Sequence, residues 1–336
     1  MKRKEPLVMV LPVTDRCNGK CVMCGIWRRN SREDLPIVNV KNFFAQDGLA
    51  NSVTHLNITG GEPFLYPDLI QIADYASHYL ESLREITIGT STLASENFAK
   101  IFISFRKHLN PEIMLHVAVS LDGVGKIHDK VRGVKGSYQK AIEAIKRFQE
   151  ICVSENMGVN VNCTFSAVNF LTVKDVIKLN GDLNVNLSLT YACQNDLYLD
   201  NTQYSDGFYI EDENVKQLLA CIQDWTKCNH ISNTEKHYLK MTSSMLQGEE
   251  RSSSCVLQKN GAFLDIDNTL YPCGTVSSLP YGSLNTHTFD QLFYSEKAKE
   301  IRKELLENHC PRCFCNSYYG LGEGTWLKVL RERLKK

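Results

Sequence analysis

The first 190 residues alternate short apolar runs with longer stretches of helical periodicity. Six apolar, β-rich runs predict strands, and five amphipathic stretches predict helices between them. The predicted strands cover residues 6–13, 53–59, 85–90, 113–121, 158–166 and 184–191. The predicted helices cover residues 37–49, 67–81, 94–108, 137–151 and 171–182. Strands that alternate with helices are typical of βα units around a parallel sheet.

Three of the predicted strands also alternate between apolar and polar residues with a period of two. In the fourth strand, the apolar set is Ile113, Leu115, Val117, Val119 and Leu121, and the other set is His116, Ala118, Ser120 and Asp122. Successive side chains of a strand point to opposite faces. Because helices cover one face of a barrel, we expect the polar face to line an open lumen. A half-exposed antiparallel sheet shows the same alternation, but helical crossovers between the strands favour a barrel.

The βα pattern ends after residue 193, where the chain changes its organisation. Further helices are predicted at residues 212–228, 235–247 and 289–308. Alternation on both sides of Asp267-Asn268 predicts a β-hairpin whose turn is this polar pair. The predicted divisions are a barrel at residues 1–195, connecting helices at 196–250, and a small α+β domain with a C-terminal tail at 251–336.

Composition narrows the classes of partner. The chain has 336 residues, and its Lys+Arg and Asp+Glu counts are both 38, so it has no overall basic field for nucleic acid or a membrane surface. The basic start at Met1 to Lys4 is followed by a short apolar run interrupted by Pro12, which predicts neither a signal peptide nor a membrane span. We therefore expect a cytoplasmic protein that acts on a small molecule or a peptide.

Three cysteines after the first predicted strand suggest a metal centre. Cys17, Cys21 and Cys24 have the spacing C-x3-C-x2-C. Each iron of a four-iron cluster needs a ligand from outside the cluster, and thiolates are the usual ones. Three cysteines leave one iron open, as in catalytic rather than structural metal sites. A zinc knuckle with a distant fourth ligand is the alternative at this spacing.

A second motif lies at the end of the second predicted strand. Gly60, Gly61, Glu62 and Pro63 follow the apolar run there, and glycines permit close backbone approach. Together the two motifs resemble the radical S-adenosylmethionine (SAM) superfamily, with Met23 at a position that is usually aromatic. The resemblance implies a partial (βα)6 barrel, a SAM-binding [4Fe–4S] cluster on the three cysteines, and contacts from Gly60 to Pro63 to the SAM amino group. It also implies cleavage of SAM to a 5'-deoxyadenosyl radical, with an electron donor such as flavodoxin or ferredoxin.

Further family-like residues follow the fourth predicted strand. Ser120 and Asp122 match a Ser-x-Asp-Gly element that lies beside SAM in related enzymes. The run from His128 to Gly133 is also similar to the family, and the resemblance implies that Arg132 pairs with the SAM carboxylate. A solvated arginine in a surface loop is the alternative for Arg132.

A second group of cysteines lies in the C-terminal region. The predicted hairpin carries Cys273 back toward Cys255, and Cys310 and Cys313 follow the last predicted helix. The arrangement resembles the Twitch domain, a shortened SPASM domain, found in 2-deoxy-scyllo-inosamine dehydrogenase and, in longer form, in sulfatase and peptide maturases. It implies an auxiliary [4Fe–4S] cluster on these four cysteines, to which Cys315 does not fit. A four-cysteine zinc site is the alternative.

The two resemblances together imply a radical SAM oxidoreductase with two [4Fe–4S] clusters. We expect oxidation of a sugar or aminocyclitol, with the auxiliary cluster as electron acceptor. The alternative is maturation or epimerisation of a ribosomally made peptide, in which Cys193 at the end of the sixth strand donates a hydrogen atom. A molybdopterin-type cyclase is disfavoured because residues 320–336 lack an arginine- and glycine-rich tail. A non-enzymatic zinc-binding protein would leave Gly60 to Pro63 unexplained.

Overall fold

A computed structural model describes residues 7–29, 33–93, 97–153, 156–204, 208–251, 255, 257, 260–305 and 314. The strands are β1 Leu7–Pro12, β2 Val53–Thr59, β3 Glu85–Thr90, β4 Met114–Ser120, β5 Met157–Phe165, β6 Asn186–Tyr191, β7 Gly261–Leu264, β8 Thr269–Tyr271 and β9 Gly282–Ser283. The helices are α1 Ile37–Phe44, α2 Asp47–Ala50, α3 Leu69–Tyr79, α4 Phe98–His108, α5 Lys126–Arg132, α6 Ser137–Ile151, α7 Val173–Leu183, α8 Asp212–Trp225, α9 Asn233–Leu246, α10 Phe289–Phe293 and α11 Glu296–Glu304. Within the described residues, no helix is long and apolar enough to cross a membrane.

The strands form one sheet in the order β6-β5-β4-β3-β2-β1-β7-β8-β9. Strands β1 to β6 pair with their neighbours in parallel, so the predicted α/β partial barrel is confirmed. The predicted hairpin is formed by β7 and β8. Its first strand pairs in parallel with β1, so the hairpin continues the barrel sheet.

The two faces of the barrel strands differ as the alternation predicts. Leu115, Val117 and Val119 are fully buried beneath the helices and belong to the main hydrophobic core. On the opposite face of the same strand, His116 and Ser120 remain partly exposed. The core therefore lies between the sheet and its helices, and the polar face is left to line the lumen.

Several helices differ from the sequence-based expectation. The predicted helix 37–49 is divided into α1 and α2, and the predicted helix 289–308 is interrupted at Ser295, whose hydroxyl accepts a hydrogen bond from Ala298 N at 3.0 Å and caps α11. Helix α5 was not predicted at all. It begins after Gly125 and ends at Gly133, and both glycines have positive φ (59° and 65°). Arg132 therefore ends a helix and its side chain is only 12% exposed, so the alternative of a solvated arginine in a surface loop is wrong.

The free edge of the barrel at β6 is covered by side chains of α9. Glu235 Oε2 accepts a hydrogen bond from Leu189 N at 2.8 Å, and the Tyr238 hydroxyl accepts one from Tyr191 N at 2.8 Å. Unpaired amides of an edge strand can form hydrogen bonds with a strand of another molecule. Side-chain acceptors that occupy these amides prevent such pairing. The Tyr238 hydroxyl also donates to the Phe314 carbonyl at 2.5 Å, which docks this residue of the C-terminal cysteine region beside β6.

Candidate functional site

The loop after β1 brings the first cysteine group together. A Cβ atom at Gly19 would lie 3.6 Å from Cys17 Sγ and 3.5 Å from Cys21 Sγ, so the two sulfurs flank the same small space. Cys24 N donates to the Cys21 carbonyl at 3.2 Å, which turns the third cysteine back toward the second. Burial raises the pKa of Cys17 to about 11 and that of Cys24 to about 12. These thiols would be protonated without metal, and cluster binding would release protons.

The donor set of this loop fits an iron–sulfur cluster. Cys17, Cys21 and Cys24 are free thiols on one loop. Thiolates are the usual ligands of a four-iron cluster, and each binds a different iron.

The motif at the end of β2 forms backbone hydrogen bonds with this loop. Gly61 N donates to the Thr14 carbonyl at 2.6 Å, and Glu62 N donates to the Arg16 carbonyl at 2.8 Å. A Cβ atom at Gly61 would overlap the Arg16 carbonyl oxygen and lie 2.7 Å from its carbon. Gly60 has φ of 121°, which side chains rarely adopt. The glycines therefore permit close approach of the cysteine loop itself, and their contact with SAM stays a prediction.

Glu62 is fully buried, and its carboxylate forms hydrogen bonds with the end of the neighbouring strand, β3. Its carboxylate accepts hydrogen bonds from Thr90 Oγ1 at 2.8 Å, from Ser91 N at 2.8 Å, from Ser91 Oγ at 2.6 Å and from Phe64 N at 3.3 Å. Burial raises the pKa of Glu62, and these four hydrogen bonds oppose that rise. Four donors occupy the usual capacity of a carboxylate. An ammonium group of SAM would therefore have to replace one of them.

The residues after β4 link the cysteine loop to the neighbouring strands. Asp122 is fully buried, its Oδ1 accepts from Thr164 N at 2.8 Å, and its Oδ2 lies 2.5 Å from Arg132 Nη2. Its backbone N donates to His128 Nδ1 at 3.0 Å, and burial lowers the pKa of His128 to about 3, so this imidazole is neutral. Ser120 is partly exposed at the lumen end of β4.

The segment that follows β6, residues 195–201, forms hydrogen bonds with the cysteine loop. This contact is not predicted from the sequence. Asn201 Nδ2 donates to the Met23 carbonyl at 2.8 Å, and Gly25 N donates to the Leu199 carbonyl at 2.7 Å. The Tyr198 hydroxyl lies 2.5 Å from Thr59 Oγ1, at the end of β2. The asparagine-rich composition of this segment signals a turn, but nothing in it identifies the distant loop that it contacts.

The second cysteine group is described in part. Cys255 and Cys273 pack in one small cluster with Val8 and Val10 of β1, as the hairpin prediction requires. Tyr198 N donates to the carbonyl of Gly274, next to Cys273, at 3.1 Å, so the segment 195–201 reaches this cluster as well.

The remaining predicted thiols are Cys310, Cys313, Cys315 and Cys193. The first three lie outside the described residues. Cys193 follows β6 and is partly buried. Its backbone carbonyl accepts a hydrogen bond from Asn201 Nδ2 at 3.0 Å. Its role as a hydrogen donor stays a prediction.

Comparison with known proteins supports the same interpretation. The family model for the Radical SAM superfamily matches residues 11–179. Fe-coproporphyrin III synthase of Methanosarcina barkeri is 25% identical over 340 residues, which cover 93% of this chain and 80% of that protein. The subtilosin biosynthesis protein AlbA of Bacillus subtilis is 31% identical over 159 residues, covering 46% of this chain and 33% of AlbA. A solved structure of anSMEcpe with bound AdoMet shares the fold, with a TM-score of 0.63, 20% identity, and coverage of 89% of this chain and 83% of that one.

Proposed function

Because the chain belongs to the radical SAM superfamily, we propose that it oxidises a hydroxyl- or amine-bearing small molecule of the sugar or aminocyclitol class. A bound [4Fe–4S] cluster and SAM would supply reductive cleavage of SAM to methionine and a 5'-deoxyadenosyl radical, which takes a hydrogen atom from the substrate.

In this proposal the ligands of the SAM-binding cluster are Cys17, Cys21 and Cys24. Their loop is held in place by backbone hydrogen bonds from Gly61 and Glu62. SAM would then lie between the cysteine loop and the ends of β2 and β4, where its polar groups reach Gly60, Glu62, Pro63, Ser120 and Asp122. Functional groups at the carboxyl ends of strands are the general rule in βα barrels.

The observation that carries the substrate class is the chemistry of the lumen. Toward the carboxyl ends of β4 to β6, the residues on the lumen face are Ser120, Asn160, Asn162, Thr164, Ser188 and Thr190. All are uncharged and hydrogen-bonding. No Lys or Arg faces the lumen from the described strands β1 to β7. An anionic substrate would need such cations, whereas a neutral polyol or an aminocyclitol finds hydroxyl and amide partners.

Oxidation is proposed because it gives the second cysteine group a purpose. When a hydrogen atom leaves a carbinol carbon, one electron and the hydroxyl proton must also leave for a carbonyl to form. An auxiliary cluster with Cys255 and Cys273 among its ligands would accept that electron, and the proton would pass to solvent. The location of both cysteines against Val8 and Val10, beside the barrel, supports this arrangement.

A peptide-modifying reaction is the second candidate, and its support is the 31% identity with AlbA over 159 residues. An epimerisation would need a hydrogen donor, for which the candidate is Cys193, two residues after the end of β6. A tetrapyrrole belongs among the test compounds as well, because the relative that matches 93% of this chain is named a synthase of Fe-coproporphyrin III.

The test is to incubate the reconstituted enzyme with SAM and dithionite in deuterated water, with an aminocyclitol, an iron porphyrin or a peptide substrate. Mass spectrometry should show an aminocyclitol product that has lost two hydrogens and carries no stable deuterium at carbon. The variant Cys193→Ala should give the same product. Stable deuterium at a substrate carbon, together with loss of product in Cys193→Ala, would contradict oxidation and support epimerisation.

A further inference from the structure

Arg132 makes a contact that its expected role as a SAM ligand does not explain. Its Nη1 donates a hydrogen bond to Cys21 Sγ at 3.4 Å. Its Nη2 lies 2.5 Å from Asp122 Oδ2, and the side chains of Arg132 and Asp122 are 12% and 0% exposed. A buried cation is thus held between a buried carboxylate and the sulfur of one candidate cluster ligand.

Backbone contacts fix the position of this guanidinium. Lys20 N donates to the Arg132 carbonyl at 2.9 Å, and Val22 N donates to the Val131 carbonyl at 3.0 Å. These bonds dock the end of α5 against the residues on both sides of Cys21. The helix can end there because Gly133 has φ of 65°, and a Cβ atom at Gly133 would lie 2.9 Å from the carbonyl carbon of Lys20.

We propose that Arg132 sets the reduction potential of the cluster bound by Cys21, through its N–H···S hydrogen bond and its buried positive charge. This inference rests on the proposed function, which makes Cys17, Cys21 and Cys24 the ligands. Hydrogen bonds to cluster sulfurs, net charge and exposure set such potentials. Reduction adds one negative charge to the cluster, so a nearby buried cation stabilises the reduced form and raises the potential.

The geometry favours this role over pairing with the SAM carboxylate. A bidentate contact uses two parallel N–H groups of one guanidinium, so at least one Nη group would have to serve both SAM and its present partner, Cys21 or Asp122. The Nε atom of Arg132 is buried and has no hydrogen-bond partner among the described residues. Turning Arg132 toward SAM would also leave the buried charge of Asp122 without its partner, which is strongly unfavourable.

The test is a redox titration of the reconstituted full-length protein without SAM, monitored by electron paramagnetic resonance. The relevant signal is the one that SAM shifts in a parallel sample. Arg132→Gln should lower the equilibrium constant for reduction about tenfold, which is about 59 mV for one electron. Arg132→Lys, which keeps the charge and loses the planar fork, should show a smaller decrease. Lys130→Gln removes an exposed charge from the same helix and should leave the potential unchanged.

The outcomes separate this inference from its alternatives. An unchanged potential in Arg132→Gln overturns it, and weakened SAM binding in the same variant would then assign Arg132 to the SAM carboxylate. If Arg132→Gln does not fold, the pair Asp122→Asn with Arg132→Gln removes both charges, and its potential should still fall. A wild-type protein with no SAM-responsive cluster signal would instead contradict the proposed function.

Discussion

Substitution of Gly61 by alanine tests whether the end of β2 positions the cysteine loop. The added Cβ atom would overlap the Arg16 carbonyl oxygen and lie 2.7 Å from the Arg16 carbonyl carbon and 3.0 Å from that of Asp15. These are backbone atoms, so the loop must move. Overpacking costs about 1–3 kcal/mol. If the loop moves away, this clash is relieved but the hydrogen bonds from Gly61 N and Glu62 N are lost, at about 1 kcal/mol each. In either case the substitution destabilises the native position of the loop by about 1–3 kcal/mol.

The assay is bound iron and sulfide after anaerobic reconstitution, together with guanidinium unfolding. Gly61→Ala should lose the SAM-binding cluster, about four of about eight iron atoms. Gly89→Ala is the matched control, because its Cβ would face the lumen 4.0 Å from the Ile58 carbonyl oxygen and meet nothing closer. It should keep wild-type iron and stability. Full iron content and an unchanged unfolding midpoint in Gly61→Ala would refute the reasoning.

Three further predictions concern other parts of the molecule. Replacing Cys255 and Cys273 by alanine should roughly halve the bound iron while SAM cleavage survives, and full iron would exclude them as ligands. Tyr198→Phe removes the hydroxyl contacts with Thr59 and Gly60 and should lower stability by about 1 kcal/mol in denaturant unfolding, and by less in a Thr59→Val background, where only the contacts with the Gly60 N–H and carbonyl are lost. Burial raises the pKa of Glu235 from 4.5 to about 7. The free energy of unfolding of the protein therefore falls by about 3 kcal/mol as pH rises from 4.5 to 7, because the buried carboxyl must ionise. Glu235→Gln should therefore gain stability over wild type at pH 8 relative to pH 4, and an equal difference at both pH values would contradict this.

Local patterns explain why much of the barrel could be predicted. A strand such as β4 needs only period-two alternation to be recognised, because burial of one face selects apolar residues there. The cysteine spacing and Gly60 to Pro63 are equally local. Their distance from each other in the chain does not matter, because each motif follows a strand and parallel strands end at the same rim.

The contacts that could not be predicted from the sequence join segments that are distant in the chain. Asn201 reaches Met23 across 178 positions, and Glu235 reaches Leu189 through a helix that nothing local directs to β6. Pairing of β7 with β1 brings Val8 beside Gly261, far apart in the sequence. Helix α5 was hidden for another reason. It has only seven residues between two glycines, too few turns to show helical periodicity.

The central claim is that Cys17, Cys21 and Cys24 hold the cluster that cleaves SAM. The direct measurement is 5'-deoxyadenosine formed from SAM and dithionite by anaerobically reconstituted protein, compared with the variant in which all three cysteines are alanine. Wild-type protein should form 5'-deoxyadenosine, and the triple variant should form none while keeping any iron bound by the second cysteine group. Equal 5'-deoxyadenosine formation by both proteins, or none by a wild-type protein that holds its full iron, would contradict the account.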